Sequence, residues 1–297
     1  MILTLGTTPA VARAMEFDRF TIDDVNRAVR VHVTAAGKAV NVARVTRMLG
    51  HEACCTGLVG GDTGRTLLRD LESLGIQHRF IECASPTRVC VTVIDREHGQ
   101  TTELVEEAGA AYSDDETKLI VSIKQLAADC SVLVCAGTLA PGISPMLYHD
   151  AAIAARSANP AIRVIVDAKG EALRNAIPAS VIVKCNRAEL GDLSIDDVIR
   201  LGAASVVVTD GARPTRVCDG KQQWTIDSPK IEVVSPIGSG DALAAGVACG
   251  IERGWSVIDS ARLGVACGAE NARHAVAGFV DRVEVERLFQ STQPVSG

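Results

Sequence analysis

The stretch from residue 131 to residue 168, SVLVCAGTLAPGISPMLYHDAAIAARSANPAIRVIVDA, contains two apolar runs separated by a helical pattern. The runs SVLVCAG (131–137) and IRVIVDA (162–168) are short, rich in valine and isoleucine and end in polar or glycine residues, which is typical of buried strands. The segment between them predicts a helix over 144–157. Strand, helix and strand in this order predict a βαβ unit with parallel strands.

The same alternation extends over most of the chain. Further strand-like runs are VIVKCN (181–186) and ASVVVTDG (204–211). The remaining predicted helices cover 38–49, 63–74, 114–128 and 187–201, and a last group follows residue 240. This pattern predicts an α/β fold with a doubly wound parallel sheet, in which ligands bind beyond the carboxyl ends of the strands.

Two stretches break the alternation, residues 11–35 and residues 87–105. Both alternate apolar and polar residues with a period of two, which indicates half-buried strands. We expect them to form a small antiparallel β-sheet that covers the larger sheet as a lid; two separate surface hairpins are the alternative. The α/β core would then consist of residues 1–10, 36–86 and 106–297.

Composition narrows the classes of function. The net charge of −6 and the total of nine Trp, Tyr and Phe residues argue against a nucleic-acid partner, which would need clustered Lys and Arg or stacking aromatics. We also expect no membrane partner, because no apolar run approaches 18 residues. The ten cysteines are scattered, with no C-x-x-C pair, and are interpreted as small core residues of a cytoplasmic protein.

The segment SPIGSGDALAAG (235–246) has the composition of an anion site. Gly238 and Gly240 allow a tight turn whose N–H groups approach a ligand, and Ser239 lies between them at the start of a predicted helix. Asp241 would repel a phosphate unless it serves another purpose, such as accepting a proton from an attacking hydroxyl group. A glycine-rich turn whose aspartate only favours the helix dipole is the alternative.

Two long motifs in the right order resemble the ribokinase-like carbohydrate kinases. They are AAGKAVNVARVTRMLG (35–50) and GSGDALAAG (238–246), about 190 residues apart. Shorter matches lie between them at 57–65, 135–142, 167–173, 184–190 and 206–212. The resemblance is strongest to the phosphofructokinase type B branch, which includes 1-phosphofructokinase and tagatose 6-phosphate kinase.

The resemblance implies a role for each matched residue. Asp241 would be the catalytic base, and the N–H groups of 238–241 would form the anion hole. Asn186 and Glu189 would hold Mg²⁺ near the ATP phosphates, with Lys184 adding positive charge. The nucleotide would also contact Thr209, Gly211 and Asn271. Taken alone, these motifs have plain alternatives: NRAEL is also a helix cap with an exposed glutamate, TDGA a strand-ending turn, and Asn271 a solvated helical residue.

On the acceptor side, the resemblance assigns Asn41 to sugar hydroxyl groups. Lys38, Arg88 and Arg27 would bind a phosphate already on the sugar. Each of these cations could equally be a surface charge. The chain departs from the family pattern here: Thr8 and Ala12 replace an Asn and a sugar-binding Asp, and Ala36, Ala39 and Cys90 are also changed. In the loop that would contact the nucleotide, Pro214 replaces a glycine.

The expected function is that of an ATP- and Mg²⁺-dependent kinase acting on a small-molecule sugar phosphate, with fructose 1-phosphate as the first candidate. A kinase of an unphosphorylated sugar or nucleoside, and a non-catalytic sensor of sugar or nucleotide, remain the alternatives. Because the small sheet has an apolar face, we also expect a homodimer formed through the lid.

Overall fold

Strands and helices alternate along most of the chain. The structure, a computed structural model, describes residues 1–296. The strands are β1 (Ile2–Gly6), β2 (Ala10–Phe17), β3 (Arg30–Ala36), β4 (Ala53–Val59), β5 (Gln77–His78), β6 (Ile81–Glu82), β7 (Arg88–Asp95), β8 (Gln100–Val105), β9 (Val132–Ala136), β10 (Arg163–Asp167), β11 (Ile182–Asn186), β12 (Ser205–Asp210), β13 (Arg213–Cys218), β14 (Gln223–Ile226) and β15 (Pro294–Ser296). The α-helices are α1 (Lys38–Met48), α2 (Gly61–Ser73), α3 (Ser113–Ala127), α4 (Leu147–Ala158), α5 (Gly170–Ala176), α6 (Arg187–Leu190), α7 (Ile195–Arg200), α8 (Ser239–Glu252), α9 (Val257–Asn271) and α10 (Arg282–Ser291).

The predicted parallel sheet is confirmed. Its strand order is β15-β14-β13-β12-β11-β10-β9-β1-β4-β5, with β6 also paired to β4. The strands from β12 to β5 are parallel, whereas β13, β14 and β15 extend the sheet as antiparallel strands. The parallel strands end at one edge of the sheet, which we call the carboxyl edge.

Helices cover both faces of this sheet because its strands are apolar on both sides. In β9, Val132 and Val134 pack in a core with α1, α8 and α9, whereas Leu133 and Cys135 pack in a core with α3 and α4. All ten cysteines are free, and nine are buried, which confirms them as small core residues. No helix within residues 1–296 has the length and apolarity to span a lipid bilayer.

The two alternating stretches form one small sheet, so the alternative of separate surface hairpins is wrong. Its strand order is β3-β2-β7-β8. Each stretch supplies an antiparallel pair, β2–β3 and β7–β8. The two pairs join through β2 and β7, which are parallel along eight residues. A parallel pairing is possible here because α1, β4 and α2 lie between these strands in the chain and carry it back to the starting edge.

The single helix predicted over 187–201 is wrong. The structure has two short helices, α6 and α7, separated at Gly191, whose φ of +64° ends α6. Ser194 then caps α7 by accepting a hydrogen bond from the N–H group of Asp197. The apolar periodicity continues across this break, but glycine at the end of one helix and serine before the next are the signals of two separate helices.

Close packing of α8 against α9 depends on glycine, and this gives a prediction. A Cβ atom on Gly246 would lie 2.7 Å from the Cα atom of Gly264 and 2.9 Å from Sγ of Cys267. We expect Gly246→Val to lower the free energy of unfolding by about 3 kcal/mol, because the helices would have to separate. Urea denaturation measures this. Ala154→Val on the half-buried face of α4 is the control, and an equal loss in both variants would contradict the close-packing argument.

Candidate active site

The candidate site lies at the carboxyl edge, beside the small sheet. Asp167 ends β10, Asn186 ends β11 and Thr209 is next to last in β12, so three neighbouring strands deliver polar side chains to this edge. Asn186 and Thr209 are directly opposite each other in the parallel pairing of β11 with β12. The α1 and α8 helices begin near the same edge and add the remaining groups.

The turn at Gly238 has to be glycine for two reasons. Its φ of +82° lies in the left-handed region, and a Cβ atom there would come within 2.8 Å of the Cβ atom of Ala277 and 2.9 Å of the nitrogen of Gly278. Gly240 is close to a cation, since a Cβ atom on it would lie 3.0 Å from Nζ of Lys184. The turn therefore brings the start of α8, with its positive dipole end, next to an ammonium group. The N–H group of Ser239 donates to the carbonyl oxygen of Pro236 at 3.2 Å.

Asp241 lies in the first turn of α8 and is buried. Its Oδ2 accepts a hydrogen bond of 2.7 Å from Nδ2 of Asn41. Burial raises the pKa of Asp241 to about 6; the charge of Asp167 also raises it, whereas Lys38 and the Asn41 hydrogen bond lower it. A carboxyl group with this pKa is ionised at neutral pH yet takes up a proton readily, as a general base must.

Asp167 holds the two lysines of the site, although no sequence motif had marked it as a site residue. It is fully buried, and it accepts hydrogen bonds of 2.8 Å from Nζ of Lys38 and 2.6 Å from Nζ of Lys184. Burial opposes its ionisation, but the charges of Lys184 and Lys38 outweigh this and lower the pKa of Asp167. The signal that could have found it is its place as the only carboxylate of the run IRVIVDA, at its polar end.

Asn186 and Glu189 cap each other at the start of α6. The N–H group of Glu189 donates to Oδ1 of Asn186 at 2.8 Å, and the N–H group of Asn186 donates to Oε2 of Glu189 at 2.9 Å. The helix-cap interpretation is therefore correct, but the glutamate is not simply solvated. Its Oε1 accepts a hydrogen bond of 2.8 Å from Nζ of Lys38, which joins this pair to Asp167.

A continuous set of charges therefore connects the Asn186–Glu189 pair with Asp241. Lys38 links Glu189 to Asp167, and Asp167 links Lys38 to Lys184, which lies against Gly240 beside Asp241. The set contains three carboxylates and two ammonium groups. The sequence-predicted catalytic and metal residues are thus brought together by the structure, through one residue that was not predicted.

The predicted nucleotide residues lie in different environments. Thr209 is half-buried at the end of β12, and Gly211 follows in an open turn, where a Cβ atom would have no neighbouring atom within 4 Å. Asn271 is fully buried, so the alternative of a solvated asparagine is wrong. Its Nδ2 donates to the carbonyl oxygen of Ile237 at 2.9 Å, and its Oδ1 accepts from the N–H group of Gly278 at 2.7 Å. These contacts support a role in shaping the glycine turn.

The predicted sugar-phosphate cations do not form one group. Lys38 is engaged with Asp167 and Glu189 on the side of Asp241, and this geometry does not favour its predicted contact with a phosphate on the sugar. The cause is its position at the first residue of α1, from which its side chain reaches the ends of β10 and β11. Arg88 donates to the carbonyl oxygens of Thr8 and Glu106, at 3.0 and 3.1 Å. Arg27 lies exposed in the connection between β2 and β3.

Asn41 has one polar atom that the protein does not use. Its side chain is buried, and its Oδ1 has no hydrogen-bond partner among the described residues. Gly278 packs directly on it, since a Cβ atom on Gly278 would lie 3.1 Å from Oδ1. An unpaired buried acceptor next to Asp241 is a place where a ligand hydroxyl group would remove an energetic penalty.

The family departures on the small sheet lie on one surface. Ala10, Ala36 and Cys90 form a small buried apolar cluster, and Ala12 packs against it. Ala12 is opposite Cys90 in the pairing of β2 with β7, so the two replaced positions are neighbours. This surface carries methyl and thiol groups at the positions where the family pattern has an aspartate and an asparagine, and it offers few hydrogen bonds to a polar ligand.

An open cavity of about 950 Å³ borders the site on the side of α5 and α6. Its lining includes Thr138, Lys169 and the Asn186–Glu189 pair. No group of three or more His, Cys, Asp and Glu residues that could hold a metal ion is present in the part of the chain that the structure describes. A Mg²⁺ ion bound together with phosphates needs only one or two protein carboxylates, and Glu189 is the carboxylate in place.

Comparison with known proteins adds independent findings. A model of the pfkB family carbohydrate kinases matches residues 3–281. A solved structure assigned as a phosphofructokinase from Staphylococcus aureus is 27% identical, with a TM-score of 0.80, and the match covers 100% of this chain and 99% of that one. Phosphofructokinase-2 from Escherichia coli in complex with fructose 6-phosphate is 23% identical, with a TM-score of 0.88 and 98% of both chains covered. A protein assigned as a 1-phosphofructokinase from Thermotoga maritima is 21% identical, with a TM-score of 0.89 and coverage of 100% and 99%.

The raised pKa of Asp241 predicts that this carboxylate costs stability. Its pKa is about 6 in the folded protein against 3.8 as the ordinary value, so the ionised form is penalised above pH 6, and the penalty disappears as the pH falls toward 4. We expect Asp241→Asn to raise the free energy of unfolding by about 3 kcal/mol at pH 8 and by about half of that at pH 5. Urea denaturation at the two pH values measures both gains.

The exposed Asp227 provides the control for this measurement. Asp227→Asn should change the free energy of unfolding little at either pH, because a solvated surface carboxylate contributes little. A destabilised Asp241→Asn protein at pH 8, or a gain that does not depend on pH, would contradict the assignment of a raised pKa.

Proposed function

The chain belongs to the pfkB family of carbohydrate kinases, and on that premise we propose that it transfers the γ-phosphoryl group of ATP to a hydroxyl group of a sugar phosphate, with fructose 1-phosphate as the first acceptor to test. The family consists of phosphotransferases that use an alcohol group as acceptor, so the chain is an enzyme of this class. This membership sets aside the alternative of a non-catalytic sensor.

One observation carries the proposed mechanism: Asp241 is a buried carboxylate with a raised pKa at the start of a helix whose first turn follows glycine. In the proposed reaction, Asp241 accepts the proton of the acceptor hydroxyl group. The hydroxyl oxygen forms a bond to the γ-phosphorus, the bond between that phosphorus and the oxygen bridging to the β-phosphate breaks, and ADP leaves with that oxygen.

The charge that develops on the transferred group needs fixed positive partners. The N–H groups of 238–241 at the start of α8 supply oriented dipoles, and Nζ of Lys184 lies beside Gly240. Asp167 holds that ammonium group in place, so little reorganisation is needed during the reaction. Thr209 and Gly211 lie on the adjoining strand end and would contact the nucleotide.

Glu189 and Asn186 are the residues that we propose to hold Mg²⁺ close to the phosphates. Both carboxylate oxygens of Glu189 already accept hydrogen bonds. Glu189 would therefore contact the ion through a water molecule bound to the metal rather than directly. When bound there, Mg²⁺ would neutralise part of the phosphate charge. Glu189 and Asn186 fix each other by mutual capping, so the site would be preformed before nucleotide binds.

The acceptor would lie between Asn41 and the small sheet, which would act as a lid made of residues 11–35 and 87–105. Oδ1 of Asn41 is free to accept a hydrogen bond from a sugar hydroxyl group. Arg88 forms no ion pair within residues 1–296, and its charge is available for a phosphate on the sugar, as is that of Arg27. Closure of the small sheet over the bound substrates would also exclude water from the site, and this would limit the hydrolysis of ATP. We propose that this reaction takes place in the cytoplasm, a reducing compartment in which free cysteines such as the ten of this chain persist.

A second candidate acceptor is an unphosphorylated sugar or a nucleoside. Two observations favour it. Lys38, one of the three cations expected to bind a sugar phosphate, is neutralised by Asp167 and Glu189. The apolar cluster of the small sheet that includes Ala12 and Cys90 favours the nucleoside within this alternative, because it offers few hydrogen bonds to a highly hydroxylated sugar.

A screen of ADP release would test the proposed function. We expect turnover with fructose 1-phosphate above that with fructose 6-phosphate, tagatose 6-phosphate, free fructose and a nucleoside, and loss of turnover when Mg²⁺ is chelated. Asp241→Asn should lower kcat by about 1,000-fold while the Kd for ATP stays the same, because the proton acceptor is lost and the anion hole remains. The parent kcat/KM should fall tenfold for each pH unit below about 6, since the base of the free enzyme becomes protonated.

Each other outcome of the screen has a defined meaning. A kcat of Asp241→Asn within tenfold of the parent would rule out Asp241 as the base. Turnover on free sugars or nucleosides, together with an unchanged KM in Arg88→Ala, would favour the second candidate. Turnover without any divalent cation would contradict the proposed role of Glu189 and Asn186.

We also propose a homodimer formed through the lid. One cross-strand row of the small sheet consists of Val33, the exposed Arg13, Val91 and Leu104, and the exposed fractions of Val33 and Leu104 are 48% and 56%. The adjacent Val31 is exposed as well, on the same face. Exposed valine and leucine side chains on this face are unfavourable in water, and the same face of a second copy would cover them, with Arg13 as the one cation of the row.

Light scattering at micromolar concentration tests this assembly. The parent should have twice the mass of one chain, and Val33→Asp should dissociate the dimer because the charge would be buried in the interface. Val121→Asp is the matched control, since Val121 is equally exposed on α3, away from the small sheet. A monomeric parent, or a Val33→Asp protein that stays dimeric, would contradict the proposal.

A further inference from the structure

Arg44 is a buried cation outside the set of charges described above. It lies on α1, three residues after Asn41, and its exposed fraction is only 3%. A guanidinium group is almost always charged, so its burial is tolerated only where its donors find acceptors. The identity of these acceptors shows which parts of the molecule the group joins.

The first set of contacts leads to the lid. Nη2 of Arg44 donates to the carbonyl oxygen of Ala35, near the end of β3, and lies 3.4 Å from Oδ2 of Asp70 on α2. The same Oδ2 accepts a hydrogen bond of 2.7 Å from the N–H group of Ala35. The backbone of Ala35 is therefore held on one side by Arg44 and on the other by Asp70, where the lid strand joins the core.

The second contact leads to the glycine turn. Nη1 of Arg44 donates to the carbonyl oxygen of Ala277 at 3.0 Å. Ala277 and Gly278 fill the space against Gly238 that a side chain would otherwise occupy, and Gly278 also packs on Asn41. The position of residues 277–278 thus determines where the start of α8 and the Asn41 side chain can lie.

We propose that Arg44 is a positioning residue that couples the lid to the anion hole. Its Nη2 holds β3 at Ala35, and its Nη1 holds Ala277. A displacement of β3 would therefore move residues 277–278 and, through their contact with Gly238, the N–H groups of 238–241. The coupling makes the hole complete only when the lid is closed. It rests on the proposed function, because it assigns the lid and the hole their roles in phosphoryl transfer.

The planar fork of arginine matters for this role, and this gives the test. Lysine keeps the positive charge but places it at a single nitrogen, which cannot hold both carbonyl oxygens in the same geometry. We expect Arg44→Lys to lower kcat about 10- to 100-fold, as a small misplacement of catalytic groups does, with the Kd for ATP unchanged. The fraction of ADP released without phosphorylation of the acceptor should rise, because the hole and the lid no longer close together.

Two further variants separate coupling from general damage. Arg47→Lys is the matched control, because Arg47 is exposed on the same helix and donates to the carbonyl oxygen of His51. The kcat of this variant, and the fraction of ADP that it releases without phosphorylating the acceptor, should equal those of the parent. Asp70→Asn removes the carboxylate that holds Ala35 while leaving the contact from Arg44 to Ala277. Asp70→Asn should raise the fraction of ADP released without phosphorylation of the acceptor, but less than Arg44→Lys does. It replaces Arg44→Lys as the test variant if Arg44→Lys does not fold.

Hydrogen exchange provides a readout that does not require activity. In the protein without ligand, Arg44→Lys should speed the exchange of amides in both 30–36 and 272–280, whereas a purely local role would speed exchange in only one of these segments. The proposal would be overturned by equal exchange in the parent and in Arg44→Lys. It would also be overturned if the parent is active and Arg44→Lys has the same kcat. A parent without turnover on any acceptor would instead contradict the proposed function and leave the exchange result to decide on the coupling.

Discussion

The buried carboxylate of Asp167 is the interaction on which the site depends. It is fully buried at the end of β10 and holds Lys38 and Lys184 in fixed positions. Removing one partner from a buried ion pair typically costs about 3–5 kcal/mol, so Lys184, whose side chain is only 3% exposed, cannot leave without a large penalty; the pair with Lys38, which is 32% exposed, is weaker. The two ammonium groups are thereby oriented toward Glu189 and toward Gly240, and the parts of the site on three different segments acquire a common geometry. The large sheet makes this possible because its parallel strands end side by side.

Charge and burial are balanced differently at the two central aspartates. Asp167 has two cationic partners, and its pKa is lowered; Asp241 has a neutral amide partner, and its pKa is raised to about 6. One carboxylate is consequently a permanent anion that fixes cations, and the other can exchange a proton near neutral pH. The same residue type serves two purposes a short distance apart because the neighbours differ.

Much of the fold and part of the site could be predicted from the sequence. Valine-rich runs ending in polar residues identified β9 to β12, and the period-two alternation identified the small sheet. The glycine turn, Asp241 and the Asn186–Glu189 pair have local motifs, so they were found. Asp167 and Arg44 were not, because their roles depend on partners up to 233 residues away in the sequence, which no local pattern shows. The surroundings of Lys38 and Asn271 are likewise decided by long-range contacts. For this reason the local motif predicted a sugar-phosphate contact for Lys38, and the sequence did not exclude a solvent-exposed position for Asn271.

The parallel pairing of β2 with β7 has a consequence for how the chain folds. Each antiparallel pair of the small sheet is local in sequence, but Ala10 pairs with Arg88, which is 78 residues later (88 − 10). Closing such a long loop has a high entropic cost, and contacts of this sequence separation slow folding. During synthesis, the β2–β3 hairpin emerges well before its partner, with an unpaired edge along β2. The small sheet should therefore be among the last parts to assemble, and a nascent or refolding chain would pass through a state in which this edge is open to aggregation or to a chaperone.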